Sequence, residues 1–357
     1  MHWVRTTLAA ASMIAAAPAW AQTSPGQPDA ALPLRAFVPT TISPEAAAIY
    51  RAYRAFILLP QPVPRNDADF AALYSKAEER GIPGADAAVK QLGSTVIQRS
   101  IGGVPVYEVR PRNWHDDGTV ILDVHGGGFI TGSAHSNLGG TARLADMTGK
   151  RVISIDYTVA PRGTWRTVTN QVIAVYKGVL AEGVAARHIG MTGGSAGGTI
   201  VAASTLKLRD QRLPMPAALM LISPMTDLTE GGDTRTTLAD ADPALHPDQV
   251  RPGLDAYAAP ADQKNPYASP VYGDFAKGYP PVLIQGGTKE WLLSDFVRLH
   301  RAIRAAGGRS DLEIYEGMPH GFPGLMPGAP EGKQAAAEQL AFWQRYLPGA
   351  TPRTRKR

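Results

Sequence analysis

The sequence predicts an α/β chain, a mostly parallel sheet with helices on both faces and a helical cap. Three observations predict it. From about residue 95 onward, short β-branched runs alternate with longer helical stretches. Glycines crowd a single hydroxyl in Gly193-Gly194-Ser195-Ala196-Gly197-Gly198. A run of consecutive glycines, His125-Gly126-Gly127-Gly128-Phe129, follows directly on one of the strand candidates.

The chain has 357 residues, enough for one large α/β domain with an appendage or two ordinary domains. Hydrophobic residues at 44% and charged residues at 19% place most of it among globular sequences. There is no cysteine, which excludes disulfides, thiolate nucleophiles and cysteine-ligated zinc or iron–sulfur sites. HExxH is absent too, so the common metalloprotease signature is excluded.

The N-terminus reads as an export signal. A short start carrying Arg5 leads into an apolar stretch from Leu8 to Ala17, and Ala19-Trp20-Ala21 precedes Gln22. Residues 1–21 are therefore expected to be removed after Ala21, leaving a periplasmic or secreted protein. The apolar stretch is shorter than the ~20 residues of a spanning helix, and no later segment is long and apolar enough to serve as one. Loss of Arg5 takes the formal net charge from +5 to +4. That weak bias, with no basic stripe interleaved with aromatics, gives no ground for a nucleic-acid partner. The basic tail, residues 349–357, ends in Arg353-Thr354-Arg355-Lys356-Arg357 and reads as a solvated end.

Residues 22–43 are rich in proline, alanine and small polar residues, a linker composition. Ser43-Pro44-Glu45 then opens a helix, with an N-cap serine and proline at its first position. Ala46, Ile49, Tyr50, Tyr53, Phe56 and Ile57 recur at helical spacing. Its aromatic face either packs on the core or walls a pocket. A second helical stretch runs from Asp67 to about Arg80, and residues 44–94 together make the N-terminal part of the cap.

Residues 95–228 form the first part of the core. Two alternating runs flank Gly102-Gly103, the signature of a hairpin. Strand candidates follow at 119–124, 151–156 and 218–223. Residues 229–268 interrupt the alternation and add to the cap, and the core resumes over 269–348 with a strand at 281–286.

Gly193, Ser195 and Gly197 fit G-x-S-x-G, in which serine occupies a strained strand-to-helix turn and the glycines avoid backbone collision. Gly198 allows close packing as well. A helix starting after the serine aims unpaired N–H groups at negative charge developing there. A phosphate loop is excluded, because neither GxxxxGK[ST] nor GxGxxG occurs. In the glycine run, the N–H groups of Gly126 and Gly127 are placed to hold a tetrahedral oxyanion, with that of Ala196 as the third donor. His125 orients that loop.

A serine nucleophile needs a base. His2 leaves with the signal, and His300 lies in a helical pattern and reads as a surface residue. His320 sits in a loop just beyond the strand candidate Asp311–Glu316, and it follows the serine in the chain order Ser…acid…His.

HGGGF, GxSAGG, YTVAP at 157–161, NPYASP at 265–270, YPPVLIQGGTKEWLLSD at 279–295 and EGMPHGF around His320 together resemble the bacterial hormone-sensitive-lipase family of carboxylesterases, within the α/β-hydrolase superfamily. The resemblance covers about residues 40–347. It implies a mostly parallel eight-stranded sheet, a cap built from the N-terminal segment plus an insertion, and hydrolysis of small, short-chain acyl esters without a cofactor. By the same resemblance Ser195 is nucleophile, His320 base, Glu290 acid, and Gly126, Gly127 and Ala196 the oxyanion donors. Three positions depart from the family's usual pattern. Gly194 stands where aspartate is common, Arg162 where a glutamate usually follows Ala-Pro, and Glu290 where the acid is most often aspartate. The first two leave the site less acidic, a change that favours anionic substrates.

Three carboxylates compete to orient His320. Asp227 follows the strand before the insertion. Asp295 falls in a helical pattern with Ser294 as N-cap, and is expected to cap or face solvent. Glu290 lies in the loop after the strand at 281–286, at the carboxyl edge of the sheet where such sites assemble. Glu290 is the expected acid. The nearest alternative activity is lactone hydrolysis with the same machinery. A small-molecule binder on a dead hydrolase scaffold is disfavoured, since serine, histidine and acid candidates are all present.

Overall fold

The computed structural model describes residues 33–57 and 62–349, without the side chains of 54–57. The expected signal segment, most of the linker, the basic tail beyond Gly349 and the side chains of Phe56 and Ile57 lie outside the described residues.

Two helices come first, α1 (Pro44–Ile57) and α2 (Asp67–Leu92). The core follows as β1 (Thr95–Ile101), β2 (Val104–Arg110), β3 (Val120–Val124), α3 (Leu138–Thr148), β4 (Arg151–Ile155), α4 (Trp165–Ala181), β5 (Ile189–Gly194), α5 (Ala196–Asp210) and β6 (Ala218–Ile222). An insertion carries α6 (Thr234–Thr237) and α7 (Pro247–Tyr257). The chain then returns through β7 (Val282–Gly287), α8 (Leu293–Ala305), β8 (Ser310–Tyr315), α9 (Phe322–Leu325) and α10 (Pro330–Tyr346).

The eight strands form one sheet in the order β1-β2-β4-β3-β5-β6-β7-β8. β1 and β2 are antiparallel, β2 runs against β4, and every later pair is parallel. The hairpin closes with Ile101 opposite Val104, and Gly102 and Gly103 take φ of 60° and 81° in the two-residue turn between them. Parallel strands covered on both faces read as continuous apolar runs. β3 shows this, with all five residues buried. Its side chains alternate between layers: Val120, Leu122 and Val124 join the core that includes α4 and α5, while Ile121 joins the core of α3 and α10. The carboxyl ends of β3, β5, β6, β7 and β8 thus converge on one edge, where ligands of open parallel sheets bind.

α2 runs past the expected end near Arg80, through Gly81 and Pro83, to Leu92. Tertiary packing overrides those breakers. Gly81 lies against Ser136, Gly139 of α3 lies against Ala85 and Ala88, and Ala85, Val89 and Leu92 join the apolar layer beneath α3. On α1, Ala46 and Tyr50 pack with Met318, Phe322 and Met326, and the Tyr50 hydroxyl donates to the Gly317 carbonyl. Tyr50 is thus a core-packing residue, whereas Tyr53 stands more exposed beside Pro243 and Pro319. α7 docks on the turn after β3: Tyr257 stacks on Phe129 at 4.0 Å, and a Cβ on Gly253 would lie 2.5 Å from the Gly128 carbonyl oxygen. No helix among the described residues is long and apolar enough to cross a membrane.

Candidate active site

Ser195 is the single residue between β5 and α5, with φ 54° and ψ −125°. This sparsely populated conformation costs of order 1–3 kcal/mol and persists only when the surroundings over-determine it. Here they do. A Cβ on Gly193 would lie 2.5 Å from the Gly197 carbonyl, one on Gly197 2.0 Å from the Val124 oxygen, and one on Gly198 2.9 Å from Pro224. The Ser195 N–H donates to Ile222 O at 2.8 Å, fixing the turn to β6. Gly194 is under no such demand, since the nearest atom to its Cβ would be 3.8 Å away. A Cβ is tolerated there, so close backbone packing does not impose glycine at this departure from the family pattern.

The glycine turn after β3 lies against the serine. A Cβ on Gly126 would sit 3.3 Å from that of Ser195. Gly127 has φ 110°, and its carbonyl accepts from the N–H groups of Ile130 and Thr131 and from the Thr131 hydroxyl. Those bonds use the carbonyl side of the turn. Among the described residues no protein acceptor takes the N–H of Gly126, Gly127 or Ala196. His125 is held beneath the turn, stacked on Tyr157 at 4.1 Å, with Nδ1 2.8 Å from the Gly126 oxygen. Burial depresses its pKa to about 4, so the ring is neutral and Nδ1–H donates to that carbonyl. It braces the turn.

His320 follows β8, and its Nδ1 lies 2.9 Å from Oε2 of Glu290, in the loop after β7. Glu290 is fully buried, and its other oxygen accepts from the Ser223 hydroxyl at 2.8 Å and the Gly287 N–H at 2.7 Å. Burial pushes the His320 pKa down, but the hydrogen bond and charge of Glu290, aided by Asp242, outweigh it and leave it raised. A cavity of about 500 Å³ is lined by Ser195, His320, Gly126 and Gly194.

The competing carboxylates are engaged elsewhere. Asp227 takes hydrogen bonds from Thr229 and Tyr272 and pairs with Arg298. Burial raises its pKa, but the bonds from Thr229 and Arg298 prevail and hold it below the ordinary value. Asp295 neither caps nor faces solvent: it is fully buried, pairs with Arg235 at 2.7 Å and accepts the Asp227 N–H at 2.9 Å. Leu292, not Ser294, occupies the N-cap of α8. The Ser294 hydroxyl instead accepts the N–H of Thr234, because the insertion packs on this helix start. His300 is half-buried against the Ser310 hydroxyl at 3.0 Å rather than a free surface residue. Arg162 stands over the Tyr74 ring at 5.5 Å.

Two further residues belong to the cluster and carried no motif. Ser223 bridges Glu290 and the N–H of Gly321, next to His320. Its place at the carboxyl end of β6 is the signal that marks it. Asp242 comes from the insertion, where nothing local distinguishes it. With Glu290 and His320 it forms the one group of metal-donor side chains this close among the described residues. The Nδ1 of His320 is already held by Glu290.

Fold and site together define a class, the serine carboxylic-ester hydrolases of α/β-hydrolase fold, and comparison with known proteins agrees. The family described as alpha/beta hydrolase fold matches residues 121–324. The chain is 32% identical over 243 residues to an acetyl-hydrolase of Streptomyces hygroscopicus, covering 68% of this chain and 80% of that one. An esterase of Acinetobacter venetianus is 31% identical over 224 residues, 62% of this chain and 74% of its own. Among solved structures, EstE5 soaked with ethyl alcohol superposes with a TM-score of 0.77 at 31% identity, covering 85% of this chain and 99% of that one. An esterase of the bacterial hormone-sensitive lipase family gives a TM-score of 0.73 at 30% identity, with coverage of 85% and 99%. The chain belongs to the bacterial hormone-sensitive-lipase family within the α/β hydrolases.

Proposed function

We propose that this chain is an exported esterase that cleaves small, short-chain acyl esters through an acyl-enzyme formed on Ser195. One observation carries the reading: His320, its Nδ1 held by buried Glu290, lines the same cavity as strained Ser195 and Gly126, whose N–H is unengaged. Nε2 of His320 takes the proton as Ser195 attacks the carbonyl, while Glu290 holds Nδ1–H and so fixes the tautomer. The N–H groups of Gly126, Gly127 and Ala196 receive the oxyanion. His320 then protonates the leaving alkoxide, and water repeats the cycle to free the acid.

Short acyl chains suit a surface without a lipid-docking patch. Among the described residues the exposed large apolar side chains are Leu34, Tyr53 and Val63, too few for such a patch. For p-nitrophenyl esters, kcat/KM on acetate or butyrate is expected to exceed that on laurate by about tenfold or more. Activity rising sharply above the micellar threshold of a long-chain triglyceride contradicts this. Including lactones in the series tests the cyclic-ester alternative. A burst of p-nitrophenol abolished by a fluorophosphonate separates an esterase from a binder. Export is checked by N-terminal sequencing: the protein secreted by a bacterial host should begin at Gln22, and an intact Met1 on periplasmic material argues for an anchor.

A further inference from the structure

We propose that Asp242, supplied by the insertion, is a positioning residue for His320: its carboxylate ties together the two loops bearing His320 and Glu290, and its charge steadies the imidazolium formed at His320. The proposal rests on the triad reading above.

Asp242 is 1% exposed. One oxygen accepts from the Ala244 N–H at 2.9 Å and, at 3.5 Å, from the N–H of His320 itself. The other accepts at 3.3 Å from Trp291, the residue after Glu290. A carboxylate oxygen, a Glu290 oxygen and a ring nitrogen of His320 all lie within 4.8 Å of one another. The insertion also grips the Glu290 loop beside this point, through Trp291 Nε1 donating to the Arg235 carbonyl at 2.8 Å and the Thr234 hydroxyl donating to Trp291 O at 3.0 Å. The insertion is therefore anchored to the Glu290 loop by bonds that do not involve Asp242.

Among the described residues Asp242 has no ion-pair partner, although an unpaired buried carboxylate is costly. Lys289 already feels this charge, and the imidazolium made at His320 during turnover is a second, closer-coupled cation that compensates it. Burial, then the neighbouring Glu290, push the Asp242 pKa up to about 6, with His320 pulling the other way. Above that value the charge is present while His320 must be neutral to act as base. The other charged and titratable groups around the pair are Arg235, which lowers the His320 pKa, and Lys289 and Tyr50, which feel Asp242.

The sign follows. Asp242 favours protonated His320, so removing its charge lowers the His320 pKa and moves the acid limb of kcat/KM to lower pH. In Asp242→Asn an acceptor oxygen remains but the charge is gone. With p-nitrophenyl acetate, the limb should fall by about 0.5–1 pH unit and kcat by about 3- to 30-fold, with KM within about threefold. A cap with a purely structural role would not move the limb. In a Ser195→Ala background, NMR titration of the His320 ring should shift the same way on adding Asp242→Asn. That readout needs no turnover, so it stands or falls separately from the esterase reading. An unchanged limb and an unchanged ring titration overturn the proposal. If Asp242→Asn fails to fold, Asp242→Glu and Asp242→Ser replace it: the limb should stay near wild type with glutamate and fall with serine, and equal behaviour of the two overturns it.

Discussion

Ser195→Ala is expected to lower kcat on p-nitrophenyl acetate by about 10⁴-fold or more while the protein stays folded. In the proposed mechanism the nucleophile, its base and the acid act as a unit, so losing the hydroxyl would remove the covalent route altogether. What remains is the modest rate that oxyanion donors and binding give to attack by water. The fold should tolerate the change. Alanine carries the same Cβ through φ 54°, and the bonds that pin the turn use the Ser195 backbone, N–H to Ile222 and carbonyl to Thr199. No protein partner holds the Ser195 hydroxyl among the described residues, so its removal should alter stability by less than about 1 kcal/mol. Thermal melts beside steady-state rates check both halves. A folded variant that keeps a tenth of the wild-type turnover overturns Ser195 as nucleophile.

The parts of this chain that were legible in its sequence are those whose cause is local. Gly102-Gly103 between alternating runs specifies a two-residue hairpin because both turn positions need positive φ. The glycines around Ser195 are legible for a related reason: Gly193, Gly197 and Gly198 stand where backbones approach too closely for a Cβ. What was not legible depends on distant chain. α2 passes through Pro83 only because α3 offers its far half an apolar seat. Asp295 looks like a solvent-facing helical carboxylate until the insertion brings Arg235 onto it. Asp242 is an ordinary loop aspartate in sequence and becomes part of the His320 cluster by the same docking. The insertion thus hid one buried ion pair and one carboxylate, both invisible to motif and period.

That docking sharpens the expected outcome of testing the acid. Glu290→Gln should lower kcat by about 10²–10⁴-fold with little change in KM. The amide can keep its oxygen toward Ser223 and Gly287, which now bond Oε1 of Glu290. Its NH₂ then faces Nδ1 of His320, where the carboxylate oxygen now stands at 2.9 Å. A donor there favours the tautomer protonated at Nε2, which cannot take the proton of Ser195, and the negative charge that would stabilise the imidazolium is lost as well. Asp295→Asn should separate cleanly from this. It leaves the Arg235 guanidinium, 2% exposed, without its counter-charge, and breaking a buried pair in this way costs about 3–5 kcal/mol of stability. The melting temperature should fall markedly, yet kcat of the folded fraction should change less than about tenfold, because Asp295 reaches Arg235 and Asp227 and not His320. Asp227→Asn should also stay within about tenfold in kcat, its partners being Thr229, Tyr272 and the partly exposed Arg298. Measuring kcat and melting temperature for all three variants therefore gives a crossed pattern, with Glu290→Gln losing turnover and Asp295→Asn losing stability. If Asp227→Asn or Asp295→Asn depresses kcat more than Glu290→Gln, the acid is not Glu290, while the assignments of Ser195 and His320, which rest on the strained turn between β5 and α5 and on the shared cavity, are untouched.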